Sequence, residues 1–141
     1  THQIPVYCLG AAPGVAQRAI DNVSAQVGVL NIAGIHDGFF DSAEEQEIIK
    51  SIADSKAKLV FVALGVPKQE QWIAEKLSHL DGVVAIGIGG SFDVLAGNIP
   101  RAPEWMQQNR LEWLYRLYLE PQRIGRMLAI PKFMWTVIRN K

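Results

Sequence analysis

Lysine, glutamine and glutamate follow one another in Gly65-Val66-Pro67-Lys68-Gln69-Glu70, after an apolar run and at the start of a helical pattern. Pro67 suits the first position of a helix, where its missing N–H is no loss, so Lys68 and Gln69 fall in the first turn. Free N–H groups and the helix dipole already make that end positive. A lysine is out of place there unless an anion such as a diphosphate sits against it. Gln69 adds an amide that both donates and accepts, which suits a base or a sugar. A second cluster, Gly87-Ile88-Gly89-Gly90-Ser91-Phe92-Asp93, combines glycines that admit close backbone approach with Ser91 as a candidate N-cap and Asp93 in the next turn. A carboxylate there either binds sugar hydroxyls or only caps a helix, and residue types leave both open.

Two further loops are less specific. Gly10-Ala-Ala-Pro-Gly14 turns tightly but lacks the G-x-G-x-x-G spacing, so a dinucleotide site is disfavoured and a simple turn is as good a reading as a phosphate contact. His36-Asp37-Gly38-Phe39-Phe40 leads into an expected capping box from Ser42 to Glu45, which explains the acidic cluster Glu44, Glu45 and Glu47 without a ligand. One of its two phenylalanines plugs the core, and the other, with Phe39 as candidate, is free to stack on a base. His36 reads as a hydrogen-bonded structural histidine, because no partner repeats at metal-ligand spacing. No D-x-D occurs, so neither a divalent metal clamp nor any other cofactor is expected. The one cysteine, Cys8, lies in an apolar run, which excludes an internal disulfide and points to a buried thiol in a reducing compartment.

The elements that must position these loops alternate regularly. Residues 4–11, 30–36, 58–65 and 83–89 read as strands. Residues 13–27, 42–53 and 67–77 read as helices, the first facing inward with Val15, Ala16, Ala19, Ile20, Val23 and Val27, the second with Ile48, Ile49 and Ile52. Near-continuous apolar strands such as LVFVALG and VVAIGIGG predict burial on both faces of a parallel sheet. The fold class is therefore α/β, a Rossmann-like parallel sheet with flanking helices and right-handed crossovers. Ligands of such sheets sit beyond the carboxyl ends of the strands, where all four loops fall. At 141 residues and 49% hydrophobic content, one core of residues 1–97 with an appendage of residues 98–141 is expected.

The appendage differs in kind. Three of four tryptophans and six of seven arginines lie in residues 101–141, which carry 8 basic and 3 acidic residues against 6 and 11 before them. A helix is expected over residues 103–120 and two more after Pro121 and Pro131. Interleaved rings and guanidinium groups suit an anionic membrane surface, a phosphate-bearing ligand or both. No apolar stretch reaches the ~18 residues a membrane span needs, so contact of this kind is peripheral. The chain opens at Thr1 with a strand almost at once, and we expect a fragment.

Read in order, GVPKQEQWI, GIGGSFDVLAG, RAPEWMQ and LEWLYRLYLEPQR resemble the WecG/TagA/CpsF family of bacterial glycosyltransferases, over nearly the whole chain. The resemblance implies transfer of an N-acetylmannosamine-type sugar from UDP to a polyprenyl-diphosphate-linked N-acetylglucosamine, inverting and without metal, on the cytoplasmic membrane face, in cell-wall or surface polysaccharide synthesis. Carried over by position, Lys68, Gln69, Glu70, Gly89, Gly90, Ser91 and Asp93 correspond to the UDP-sugar site; Gly10, Gly38 and Phe39 join them as candidates because their loops fall at the same carboxyl edge of the sheet. Arg116, Arg123 and Arg126 correspond to the appendage's arginines, with a role at the leaving diphosphate. The expected partners are the UDP-sugar and the lipid-linked acceptor, and, from the composition of the appendage, an anionic membrane surface or further copies of the chain; no nucleic acid is expected. The family's N-terminal region, with the candidate base, has no counterpart here, so this chain alone is expected to bind rather than turn over. The rival readings are a non-catalytic nucleotide- or NAD-binding module in which Asp37 grips a ribose, and a membrane-docking domain.

Overall fold

The computed structural model describes residues 4–100, 102–119 and the single positions 121, 135 and 139. Contacts divide the chain into two units, Thr1–Pro100 and Arg101–Lys141. In the first, β1 (Val6–Gly10), α1 (Val15–Val27), β2 (Ile32–His36), α2 (Ser42–Asp54), β3 (Leu59–Ala63), α3 (Lys68–Trp72), β4 (Val84–Gly87) and α4 (Ser91–Leu95) follow in order, and α3 runs on as a π-helical turn over Ile73–Leu77. The strands make one parallel sheet in the order β2-β1-β3-β4. This is the α/β class that the alternating pattern predicts.

Strand residues alternate between two cores. Tyr7, Leu9, Val60 and Val62 point to one face, where Ile48 and Ile52 of α2, Trp72 and Leu77 pack on them. Cys8 and Ala63 point to the other, against Val15, Ala16, Ala19 and Ile20 of α1 and Phe92 of α4. α1 stops at Gly28, whose φ of 92° is available cheaply to glycine and whose N–H donates to the Ser24 carbonyl. Val27 in that last turn is exposed rather than inward-facing.

β4 and the start of α2 also depart from expectation. β4 is not buried on both faces: Val84 and Ile86 are 60% and 43% exposed. β4 is an edge strand among the described residues, and the cluster that α1 and α4 build on this face includes Val6, Cys8 and Phe61 but neither Val84 nor Ile86. The box at the start of α2 is set one residue earlier than Ser42. Asp41 accepts from the Ala43 and Glu44 N–H groups at 2.8 and 2.9 Å, while Glu44 accepts from the Asp41 N–H at 3.0 Å. Aspartate caps as well as serine, so pattern alone does not fix that register.

In the second unit, α5 (Glu104–Gln108) and α6 (Glu112–Leu119) replace the single helix expected over 103–120. Arg110 has φ 58° between them, the Asn109 side chain donates to the Trp105 carbonyl at 2.6 Å, and Leu111 N–H donates to the Met106 carbonyl at 2.7 Å. Asparagine's side-chain amide competes for helix carbonyls and makes such a stop possible. The helices expected after Pro121 and Pro131 lie outside the described residues.

Candidate functional site

The chain steps from β1 outward to β2, then returns past β1 to β3 and β4, so the order reverses between β1 and β3. A crevice opens at such a switch point beyond the carboxyl ends of the strands. Gly10–Gly14 lies on one side of it and Gly65–Lys68 on the other. Gly10 has φ 122°, and a Cβ there would strike the Ala63 carbonyl, so only glycine lets β1 leave the sheet this way.

Hydrogen bonds join all four loops. The Gly38 N–H donates to the Ala11 carbonyl at 2.8 Å, and the Ala11 N–H to the Ala63 carbonyl at 3.0 Å. The Gln69 N–H donates to the Gly65 carbonyl at 2.9 Å. The Gln69 side chain then crosses to the fourth loop, where its Oε1 accepts from the Gly89 N–H at 2.9 Å, while its Nε2 donates to Glu70 Oε1 at 2.8 Å. Gln69 is only 3% exposed. Both functions of its amide are therefore engaged inside the protein.

The other expected residues occupy these places. Lys68 is exposed in the first turn of α3, after a cis Val66–Pro67 bond, with its Nζ 5.4 Å from the centre of the Phe40 ring. Pro67 itself is the N-cap, one position before the place expected for it. Phe40 meets His36 and Trp72 edge-on at 6.0 and 6.4 Å and packs on the core, whereas Phe39 is 72% exposed. Asp37 accepts from the Phe39 N–H at 2.9 Å, closing a tight turn. Gly89 has φ 53° and open space where a Cβ would lie. Gly90, not Ser91, is the N-cap of α4, and Ser91 instead donates its hydroxyl to the Ile88 carbonyl at 2.6 Å. That bond satisfies the serine behind its own backbone, a common alternative to capping. Asp93 Oδ1 accepts from the Asn98 amide at 3.3 Å. Of the three expected arginines, Arg116 has its backbone in α6 and its side chain outside the described part, while Arg123 and Arg126 lie outside the described residues.

Sequence reasoning missed the polar strut behind the site. Trp72 Nε1 donates to Glu45 Oε1 at 2.8 Å, and Lys76 pairs with Glu45 Oε2 at 2.9 Å. The Lys76 hydrogen bond, ahead of the one from Trp72, holds the Glu45 carboxyl below its usual range, and Glu45 in turn raises Lys76. Glu45 and Trp72 stand 27 positions apart, beyond any local pattern. Among the described residues, no three of His, Cys, Asp and Glu group as a metal site would require.

A four-stranded parallel sheet with glycine loops at its carboxyl edge defines the class, an α/β domain whose strand-end crevice is where such folds take their ligands. The particular family follows from comparison. The model of the WecG/TagA/CpsF glycosyl transferase family matches residues 1–141, and the chain belongs to that family. It is 40% identical over 136 residues to an N-acetylglucosaminyldiphosphoundecaprenol N-acetyl-beta-D-mannosaminyltransferase of Bacillus subtilis (strain 168), covering 96% of this chain and 52% of that protein. A protein of the same name from Bacillus spizizenii is 42% identical over 137 residues, with the same coverage. The chain thus spans about half the length of these curated relatives.

Proposed function

We propose that this chain is the donor-binding part of an enzyme that moves an N-acetylmannosamine-type sugar from UDP to a polyprenyl-diphosphate-linked N-acetylglucosamine. The observation that carries this reading is the family match over all 141 residues, together with two relatives named for that transfer. The acceptor hydroxyl attacks the anomeric carbon, the bond from that carbon to UDP breaks, and configuration inverts. UDP leaves with added negative charge on its diphosphate. Lys68, and in the appendage Arg116, Arg123 and Arg126, stabilise that charge in this reading, so no metal is required. Gly10, Gly38, Gly89 and Gly90 let backbone approach the ligand, Phe39 is free to lie on the base, and Glu70, Ser91 and Asp93 line the sugar side. Neither Asp37 nor Asp93 is assigned as the base that takes the acceptor's proton, because each already accepts a local hydrogen bond, Asp37 from the Phe39 N–H and Asp93 from the Asn98 amide beyond α4. The base belongs to the part of the relatives that this chain does not match.

The lipid-linked acceptor places the reaction at a membrane surface. Peripheral attachment on the inner face of the membrane is part of this reading; among the described residues, no helix is long and apolar enough to cross a membrane. Calorimetric titration tests the donor half of this reading. UDP should bind more tightly than ADP or NAD, with the same affinity in EDTA as in magnesium. Equal or tighter binding of NAD would instead favour the dinucleotide module.

A further inference from the structure

We infer that the open face of β3 and β4 is the seat of an apolar helical face supplied by the remainder of a family-length chain, the half of the relatives that these 141 residues do not match. Residues in register across a parallel sheet share a face, and here Cys8, Phe61 and Ile86 form one row, Val6, Leu59 and Val84 the next. α1 and α4 cover only part of these rows. Beside them lies a groove of about 400 Å³, lined among others by Ile4, Val6, Phe61, Ile88 and Leu95. No charged side chain lines it, and only Asn31 and Ser91 bring polar groups beyond the buried Cys8 thiol. The groove adjoins the candidate crevice at Ile88, Ser91 and Phe92 of the fourth loop, while the rest of its lining, from Ile4 and β1 to α1 and β2, lies away from the other three loops. Val84 and Ile86, exposed on an edge strand, extend the same surface.

The occupant follows from chain length and fold. All-parallel sheets are covered on both faces, and the covering layer comes from helices of the same polypeptide. A long apolar edge left open invites aggregation. The matched relatives carry nearly as much chain again as the part shared with this protein, since 96% of this chain accounts for only 52% of each. That additional half is long enough to supply such a layer. The inference rests on chain length and packing and is independent of the proposed transfer reaction.

Cysteine accessibility tests it. Cys8 is buried, and burial pushes its thiol up to about 11, so it stays silent to maleimides near neutral pH. Ile86→Cys reports the open face, and Lys50→Cys, on the exposed side of α2, is the control. In the 141-residue chain both should label readily. In a chimaera where these residues replace the matched half of the Bacillus subtilis relative, Ile86→Cys should slow by about tenfold or more while Lys50→Cys does not change, because labelling follows access. If the chimaera does not fold, the relative's unmatched half is supplied as a separate polypeptide and the same two sites are read. Equal labelling of Ile86→Cys with and without that half would overturn the inference. So would protection in the 141-residue chain alone accompanied by a doubled mass in light scattering, which assigns the face to a second copy, or protection only on phospholipid vesicles, which assigns it to hydrocarbon.

Discussion

Gln69 is the one polar side chain buried in the core among the described residues, and its seat depends on a glycine eighteen positions away. A Cβ on Gly87 would lie 2.6 Å from Gln69 Nε2 and 2.9 Å from Cδ. These atoms are the far end of a flexible side chain, so Gly87→Ala should expel the glutamine rather than deform the strand. Gly87→Ala and Gln69→Ala then remove the same thing, the acceptor for the Gly89 N–H, and each should lower stability by about 1 to 3 kcal/mol. The double variant should be no less stable than the worse single one. Additive losses in urea unfolding would separate the two positions. Lys68 makes a contrasting case, because its ammonium rests on the Phe40 ring in a setting exposed to solvent. Lys68→Ala should weaken UDP by about 1.5 to 3 kcal/mol and leave uridine almost unchanged, the signature of one charge-assisted contact to a diphosphate. Unchanged UDP affinity returns Lys68 to the role of a surface cation seated on an aromatic ring.

At the scale of elements, α2 and α3 are joined by Glu45, which links the Trp72 indole to Lys76 behind the third loop. The folded carboxyl titrates below its unfolded value, so the stability it contributes is complete above the unfolded glutamate pKa, about 4.3. That contribution is lost as pH falls through the lower, folded value. Glu45→Gln should therefore be less stable than the parent at pH 7, with the gap closing in acid below the ordinary glutamate range. Urea unfolding at pH 7 and at successively lower pH measures this, and a gap independent of pH would show that the carboxylate's charge is not what matters. The elements themselves were legible because apolar strands and amphipathic helices have different periods, and the four strands and first three helices follow those periods to within a few residues at their ends. Registers set by polar side chains were not legible in the same way. Asp41 and Ser42 are both good caps, Gly90 and Ser91 likewise, and the choice depends on where the chain leaves the sheet. At the candidate site, the loops follow from strand ends, but the Gln69–Gly89 bond joins segments that only the β3–β4 pairing brings together. Exposure of β4 was illegible for a related reason, since an apolar run does not say whether the layer that covers it lies in the same 141 residues.

For the molecule as a whole, the division of charge noted above coincides with a division into two compact units at Pro100. In the second unit, Trp105, Tyr118 and Trp135 are exposed, an amphipathic set beside an excess of basic residues. Such rings settle at a headgroup interface while lysine and arginine meet anionic lipid. Removing everything after Pro100 should leave a folded sheet by circular dichroism and abolish sedimentation with phosphatidylglycerol vesicles. The arginines then divide two roles that the same charge serves. Arg116, Arg123 and Arg126 changed together to alanine should cost about 1 kcal/mol of membrane affinity for each residue that only meets lipid. Each residue that meets the leaving diphosphate should instead raise the barrier to transfer by about 3 kcal/mol. The two are separated in a chain of the relatives' length, assayed with a soluble acceptor so that membrane binding drops out of the rate. A large loss of turnover there, with vesicle binding only weakened, is the expected result. Full turnover with vesicle binding lost would confine these arginines to the membrane and leave the leaving group's charge to Lys68 and the loops of the sheet.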